Sequence, residues 1–348
     1  MAQDQRRTTI VDVARHAGVS TKTVSRVLNG EPHVTEDLKR RVREAAAAIN
    51  YHPNMLARAL VQRRSHLIGL VYENPSPSYV VDLQMGVLHR LRDEHYRLVV
   101  IPIASIAEHE ADVVGLLRSA ALDGVVLAPP ASDSPRIMAD LDAAGIRFAR
   151  IAPTRLLDAG PGNLLDDQAA AREIAAHVIA LGHRDIGIIK GEPTHASADM
   201  RLAGYRDAFA AAGLPIRADR VKQGHYTHDS GYAAACSLLA SPDRPTAILA
   251  QNDDMAVGAL IAAREAGLSV PGDLSIAGFD DSDVARIAWP AITTIRQPVF
   301  DMAVAAADMV VAQLRGTEAD MRRHHRHELI VRQSTGPAPH RGIAGTAS

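Results

Sequence analysis

Between Leu67 and Phe279 short apolar runs alternate with helical segments, and this alternation restricts the chain to a small set of folds. Parallel neighbours need a crossover and a helix supplies it, so the pattern calls for βαβ units rather than hairpins. The spacing predicts strands at 67–72, 97–103, 124–129, 148–152, 186–191, 247–251 and 274–279. Helices are predicted near 79–94, 107–120, 134–145, 167–181, 198–212, 229–240 and 254–266. Loops at the carboxyl ends of such strands form the crevice of an open α/β sheet, and about six βα units on either side predict two Rossmann-like lobes facing across a cleft.

Those loops carry Glu73-Asn74-Pro75, Pro129-Pro130, Arg150, Ala196-Ser197, Tyr226, Asn252-Asp253-Asp254 and Phe279-Asp280-Asp281. Aromatic residues are only 3% of the chain, yet Tyr79, Tyr226, Phe279 and Trp289 fall in or beside strand-end loops. A flat apolar face with convergent Asp, Asn and Arg suits a polyhydroxylated ligand, because each hydroxyl both donates and accepts.

Ahead of this body, residues 8–29 read as two short helices joined by a glycine turn. Ile10, Val13, Ala14 and Ala17 form an apolar stripe, Gly18 supplies the turn, and Ser20 is placed to cap a second helix reaching about Leu28. Val24, Val27 and Leu28 face inward there, leaving Thr21, Lys22, Ser25 and Arg26 outward. A third helix, roughly Glu36 to Asn50, adds Leu38, Val42 and Ile49 to a small core and carries Arg40, Arg41 and Arg43. In a helix-turn-helix the second helix enters the major groove, which makes Thr21, Lys22 and Arg26 candidates for base readout. Charge agrees: residues 1–64 hold twelve Lys and Arg against six Asp and Glu, and the remainder holds 26 against 34. The net charge of −2 therefore conceals a basic head on an acidic body, the asymmetry expected for phosphate contact.

The run TIVDVARHAGVSTKTVSRVLNG, followed by HVTEDLKRRVREAAAAINYHPNMLARAL, resembles the DNA-binding head of the LacI/GalR family of bacterial transcriptional regulators. The resemblance continues through ALGHRDIGIIKG, RLAGYRDAF, PTAILAQNDDMAVGAL, PGDLSIAGFDDS, PAITTIRQP and ELIVRQST to about residue 336. It implies an α-helical N-terminal helix-turn-helix head plus an α/β body of two Rossmann-like lobes, periplasmic-binding-protein-like in type. The domains expected are 1–52 (DNA binding), 53–64 (hinge helix and linker), 65–336 (effector binding and dimerisation) and 337–348 (a disordered tail).

By the resemblance, the DNA-facing set comprises Thr9, Ser20, Thr21, Lys22, Thr23, Ser25, Arg26, Asn29, Tyr51, Asn54, Ala57 and Leu60. The resemblance makes Pro53 to Leu60 a hinge helix that folds on operator DNA, with Leu60 wedged into the central base step. The effector set it implies is Tyr79, Arg150, Ser197, Arg201, Tyr226, Asn252, Asp280 and Gln297. Some relatives place an acid where Arg150 stands. Asn252 also precedes a helix and is suited to cap it, and Arg201 by position alone would be a solvated charge.

Other classes fit less well. The chain has no G-x-S-x-G elbow, P-loop or G-x-G-x-x-G after a strand, so an enzyme reading rests on fold class alone. Histidines 324, 325 and 327 lack the separated pairs of a zinc site, and a terminal strand would put His325 and His327 on one face. No metal or cofactor is expected. A single cysteine, Cys236, excludes an internal disulfide framework and fits a reducing cytoplasm. A polar N-terminus argues against an export signal, and no apolar run reaches the roughly 18 residues of a membrane span. The expected protein is thus a cytoplasmic, sugar-responsive repressor. By the resemblance it would bind a pseudo-palindromic operator as a homodimer whose contact includes helix 79–94 and its counterpart near 254–266. A purine- or protein-co-regulated repressor is the alternative, and a sugar-binding protein without regulatory role the weaker one.

Overall fold

The structure is a computed structural model that describes residues 8–28, 34–51, 64–73, 76–318 and 320–339. The chain divides between Ser65 and His66 into two compact units.

The first unit holds α1 (Ile10–Ala17), α2 (Thr21–Leu28) and α3 (Glu36–Ala48). Thr9 opens α1 with a capping box: its hydroxyl oxygen accepts from the Asp12 N–H while Asp12 accepts from the Thr9 N–H at 2.9 Å. Gly18 ends the helix at φ 65°, a left-handed conformation that glycine adopts without strain. Arg41 of α3 donates to the freed Ala17 carbonyl at 2.8 Å, which ties the turn to the third helix. Ser20 Oγ accepts from the Thr23 N–H at 3.0 Å and caps α2. Val13, Val24 and Val42 are fully buried where the helices meet, with Ala45 and Ala46 beside them. Ile49 packs against this core, whereas Leu38 stays outside it. Small alanines at the contact let α3 approach closely.

In the second unit the chain begins a first lobe with β1 (Leu67–Tyr72), α4 (Pro77–Leu91), β2 (Arg97–Pro102), α5 (Ile106–Ser119), β3 (Gly124–Leu127), α6 (Pro135–Ala144), β4 (Arg147–Ile151) and β5 (Gly162–Leu164). It passes to a second lobe with α7 (Asp167–Ala180), β6 (Ile186–Lys190), α8 (Ala196–Ala211), β7 (Val221–Gln223), α9 (His228–Leu239), β8 (Ala247–Ala250), α10 (Asp253–Glu265), β9 (Ser275–Ala277), α11 (Asp283–Ile287) and β10 (Thr294–Arg296). It then returns with α12 (Val299–Arg315) and β11 (Arg322–His324) to the first lobe, and β12 (Glu328–Ile330) comes back to pair with β10.

The first lobe's sheet runs β11-β5-β4-β3-β1-β2 and the second lobe's β7-β6-β8-β9, with parallel pairing throughout. Among the described residues the backbone crosses between lobes three times, at 164–167, 296–299 and 324–328. Helices cover both faces of each sheet. Leu83 and Val87 of α4 and Met302, Ala306 and Val310 of α12 pack on Ile68, Leu70 and Val126 of the first sheet. Ile174 and Val178 of α7 and Tyr205 of α8 do the same over Ile188 and Leu249 in the second.

The seven expected strands stand within a few residues of their expected bounds. The expected terminal strand does not form as one piece: 322–324 and 328–330 belong to different sheets, with His325 to His327 in the crossing between them. His325 Nε2 bonds Asn163 Oδ1 at 3.0 Å and His327 Nε2 bonds Glu173 Oε2 at 2.9 Å. Among the described residues no group of three or more His, Cys, Asp or Glu is placed to hold a metal ion, and no helix is long and apolar enough to cross a membrane.

Candidate functional site

On the head, Thr21, Lys22 and Arg26 are exposed along α2, and Ser25 is half-buried beside them. Thr21 and Ser25, and Lys22 and Arg26, are spaced four apart and so form two adjacent rows on one helix face. Ser20 and Thr23 spend their side chains locally, their hydroxyl oxygens 2.9 Å apart at the start of the helix. Thr9 serves its capping box. Tyr51 packs against the three-helix core, where burial raises the pKa of its hydroxyl. Asn29, Asn54, Ala57 and Leu60, and with them the hinge and the tail beyond residue 339, lie outside the described residues.

In the second unit a cleft of about 410 Å³, its open mouth included, lies between the lobes. Its walls include Ser76 and Tyr79 from the start of α4, Pro129 and Ala152 after β3 and β4, and Asp167 at the first crossing. The second lobe adds His195, Ser197, Arg201, Tyr226, Asn252 and Asp280, and Gln297 comes from the second crossing. These are ends of strands and starts of helices, as an open α/β sheet requires of a ligand crevice.

Arg201, one turn into α8, is the buried centre of the site. Its Nε donates to Asp167 Oδ1 at 2.7 Å and its Nη1 to the Gln251 carbonyl at 2.6 Å, while the guanidinium carbon lies 3.7 Å from the centre of the Phe279 ring. Burial opposes the charge, but Asp167 foremost, then Tyr226 and Asp280, outweigh it and raise the arginine above its ordinary pKa. Asp280 Oδ1 accepts from the Gln297 amide at 2.6 Å and lies 4.0 Å from Arg201 Nη1. Burial drives the Asp280 carboxyl well above the usual range even so.

The backbone around Asp280 is strained, with φ 121° there and 58° at Asp281, in the region non-glycine residues avoid. Asp281 holds that shape. Its buried carboxylate accepts from Arg296 Nε at 2.7 Å and from Arg332, and its carbonyl accepts from Arg286 at 2.6 Å. Burial would raise the Asp281 pKa, yet the bonds from Arg332 and Arg296 bring it below the usual value. The acidic triple of 280, 281 and 283 is thus divided between the cleft and an arginine cluster.

Asn252 caps α10, its Oδ1 accepting from the Met255 N–H at 3.0 Å, and its amide donates to the Tyr226 carbonyl at 2.9 Å. Tyr226 is held at φ 58°, its hydroxyl 3.4 Å from Ser197 Oγ, and its ring lies where a Cβ on Gly191 would stand, 2.1 Å from Cζ. Only glycine fits at 191. Burial raises the pKa of the Tyr79 and Tyr226 hydroxyls, which keeps them neutral donors and acceptors.

Arg150 is the exception in the expected effector set. It is fully buried and absent from the cleft walls; its Nη atoms donate to the carbonyls of Ser132, Arg155, Leu156, Leu157 and Gly160 at 2.9–3.3 Å. An acid in its place could not bond carbonyls, so the chain uses an arginine here to fold the 155–160 loop. Trp289, expected near a ligand face, is 82% exposed away from the cleft, and Phe279 lies buried beneath Arg201. Asp167, Ser76 and His195 are additions that the sequence does not announce. An acid at the start of a helix reads as an ordinary cap, and only the fold brings Asp167 to Arg201.

Residues 9–54 match the model of bacterial regulatory proteins of the lacI family, and 175–335 that of a periplasmic binding protein-like domain. The chain is 32% identical to the HTH-type transcriptional regulator DegA of Bacillus subtilis, over 95% of this chain and 99% of that protein. It is 33% identical to the probable HTH-type transcriptional repressor ExuR of the same organism, covering 94% and 98%. Among solved structures, the lac repressor dimer bound to operator and the anti-inducer ONPF superposes with TM-score 0.81 at 26% identity, covering 95% of this chain and all of that one. The transcriptional regulator CelR in complex with cellobiose superposes with TM-score 0.71 at 31% identity, covering 94% and 100%.

Proposed function

The chain belongs to the LacI family of bacterial regulatory proteins, and we propose that it is a repressor whose hold on a specific operator is set by a sugar bound between its lobes. One observation carries the effector half. A buried Arg201 lies flat on Phe279 with Asp280, Gln297, Ser197 and Tyr226 around one cleft, a set that offers both donors and acceptors beside apolar surface. Sugars present the complementary surface: hydroxyls that do both, and C–H faces that stack on aromatic rings. The solved structure of CelR is a complex with cellobiose, which supports a sugar effector for a cleft so built.

The DNA half rests on α2. Thr21, Lys22 and Arg26 reach the base edges in the major groove, with Ser25 beside them. Thr9, Ser20, Thr23 and Tyr51 position the helix and meet phosphates, and Asn29, Asn54, Ala57 and Leu60 complete the contact as the family resemblance implies. The domain limits follow the same division, with a head to residue 52, a hinge to 64 and the body to 336.

The working unit is a homodimer on a pseudo-palindromic site, each head taking one half. Val81, Met85 and Leu88 leave an apolar stripe exposed on α4, which suits it to the dimer contact. In the second lobe the exposed large apolar side chains include Ile287 and Trp289, and Arg264 of α10 donates to the Trp289 carbonyl, so segment 287–289 extends the contact proposed for residues 254–266. The protein acts in the cytoplasm and carries out no catalysis. Effector control needs only that the ligand bind the operator-competent and operator-incompetent arrangements unequally.

Fluorescence anisotropy with DNA fragments flanking the protein's own gene tests this reading. Tight binding to one fragment, falling steeply with salt and shifted by one sugar, is expected. Equal binding to every fragment overturns the operator reading. Operator binding that no sugar alters, together with a response to purines, moves the effector to that class.

A further inference from the structure

His195 forms part of the cleft wall, and its side chain is only half accounted for. It is 2% exposed and stands at the N-terminal end of α8 without capping it. Its ring donates to the Glu73 carbonyl of the first lobe, and because Nε2 has no partner the donor is Nδ1. Burial holds the imidazole at a pKa of about 4, so the ring is neutral and Nε2 is an acceptor. A buried acceptor in the wall of a cavity, left without a donor, marks a place where something bound supplies one.

The ring is also held in place. The His195 N–H closes a turn onto the Glu192 carbonyl at 3.1 Å, and the imidazole meets the Tyr226 ring edge-on with 5.5 Å between centres. Tyr226 in turn lies against Gly191, which backs the imidazole from the second lobe. The bond to Glu73 joins the two lobes, and the bond from Ser76 to Asp254 at 2.7 Å does the same. The cavity is thus bounded by the crossings, which supply Asp167 and Gln297, and by two lobe-to-lobe bonds. Its volume, about 410 Å³ with the mouth counted, is at the small end of the roughly 300–1,000 Å³ of pockets that take drug-sized ligands. A ligand longer than one ring must break one of the two bonds or displace the imidazole.

We infer that the effector is a sugar of a single ring, and that His195 sets this limit: its imidazole closes the cleft and its Nε2 accepts one hydroxyl of the ring. This rests on the reading of the cleft as a sugar site and narrows it to monosaccharides. A hydroxyl is the group that fits, because it donates to Nε2 and still accepts from a neighbour such as the Ser197 or Tyr226 hydroxyl.

Titration calorimetry on the full chain at pH 7 tests it with a panel of pentoses and hexoses, the disaccharides built from each, and the monodeoxy forms of whichever monosaccharide binds. The expected result is one monosaccharide bound at least about tenfold tighter than every disaccharide that contains it, with one of its deoxy forms at least about tenfold weaker than the parent sugar. His195→Ala opens the wall and removes the acceptor, so both preferences should largely disappear. His195→Phe fills the same space without an acceptor. It should keep the preference for a single ring and lose the discrimination against the deoxy form, and it serves on its own should the alanine variant fail to fold. A disaccharide bound as tightly as its monosaccharide overturns the single ring, and a deoxy discrimination that survives in His195→Phe overturns the contact at Nε2; both leave the sugar cleft standing. Silence from every sugar overturns the sugar reading itself and this inference with it.

Discussion

The Ser76 hydroxyl donates to Asp254 Oδ2 at 2.7 Å, and this bond joins the start of α4 in the first lobe to the first turn of α10 in the second. Ser76 is buried and also lines the cleft, so the bond forms only while the lobes face each other closely. A single hydrogen bond of this kind contributes about 1 kcal/mol net. Ser76→Ala should therefore weaken effector binding about fivefold through a less favourable closed state. Calorimetry checks this, and an unchanged affinity would show that closure does not depend on the bond.

Gly191→Ala places a methyl inside the Tyr226 ring. The ring must leave, taking its hydroxyl from Ser197 and its backbone from the Asn252 amide. Overpacking of this sort costs about 1–3 kcal/mol. The variant should melt several degrees lower and lose effector stabilisation. A Tm within a degree of the parent would mean that Tyr226 has another place to go.

The strands from Leu67, Gly124 and Ile186 are legible in the sequence because each is a short apolar run between breakers, the form a strand buried on both faces must take. Helix α12 is not. Its sequence, VFDMAVAAADMVVAQLR, is apolar around most of its circumference, since it lies between the first sheet and α4, and it leads only to β11, three polar residues (Arg322–His324) that do not read as the apolar strand of a βα unit. Strands such as 162–164 and 221–223 are three residues long and too short to carry alternation. The cleft is legible where a family block fixes a position, as at Arg201 and Asp280. Arg150 misleads because a charged residue at a strand end suggests a ligand, and only the folded loop reveals the carbonyls it serves. His195 carries no periodic or motif signal at all, and its significance arises from burial.

Arg150→Lys separates those two roles. Lysine has three donors on one nitrogen and cannot span the carbonyls from Ser132 to Gly160, so several are left without partners. A decrease of about 2–4 kcal/mol is expected in urea unfolding. Effector affinity should stay within about twofold, because the side chain is absent from the cleft walls. Intact stability with abolished effector binding would restore Arg150 to the ligand.

His195 also gives the protein a defined acid sensitivity. Its folded pKa, about 4, lies below the ordinary 6.5, so between those values the unfolded chain binds more protons than the folded one. Stability from this group is complete above pH 6.5 and is lost as pH falls toward 4, amounting to about 2 kcal/mol by pH 5. His195→Gln removes the titration, so its urea-derived stability should fall less between pH 7 and 5 than that of the parent. Parallel pH profiles for the two proteins would show that the imidazole is not buried as described.

On the head, Arg26 and Val24 lie close together on α2 yet should fail in opposite ways. Val24 is fully buried between the helices, so Val24→Ala loosens the head and weakens every kind of DNA binding together with its thermal stability. Arg26 is exposed, so Arg26→Ala should lower melting far less than Val24→Ala and lower operator affinity about 10- to 100-fold if it reads a guanine, with random DNA affected less than about threefold. The salt dependence distinguishes base from backbone. If Arg26 instead neutralises a phosphate, its replacement reduces the slope of log affinity against log salt by about 0.9 and weakens operator and random DNA alike. That pattern would move readout to Thr21 and Lys22, whereas an unchanged slope with diminished discrimination assigns it to Arg26.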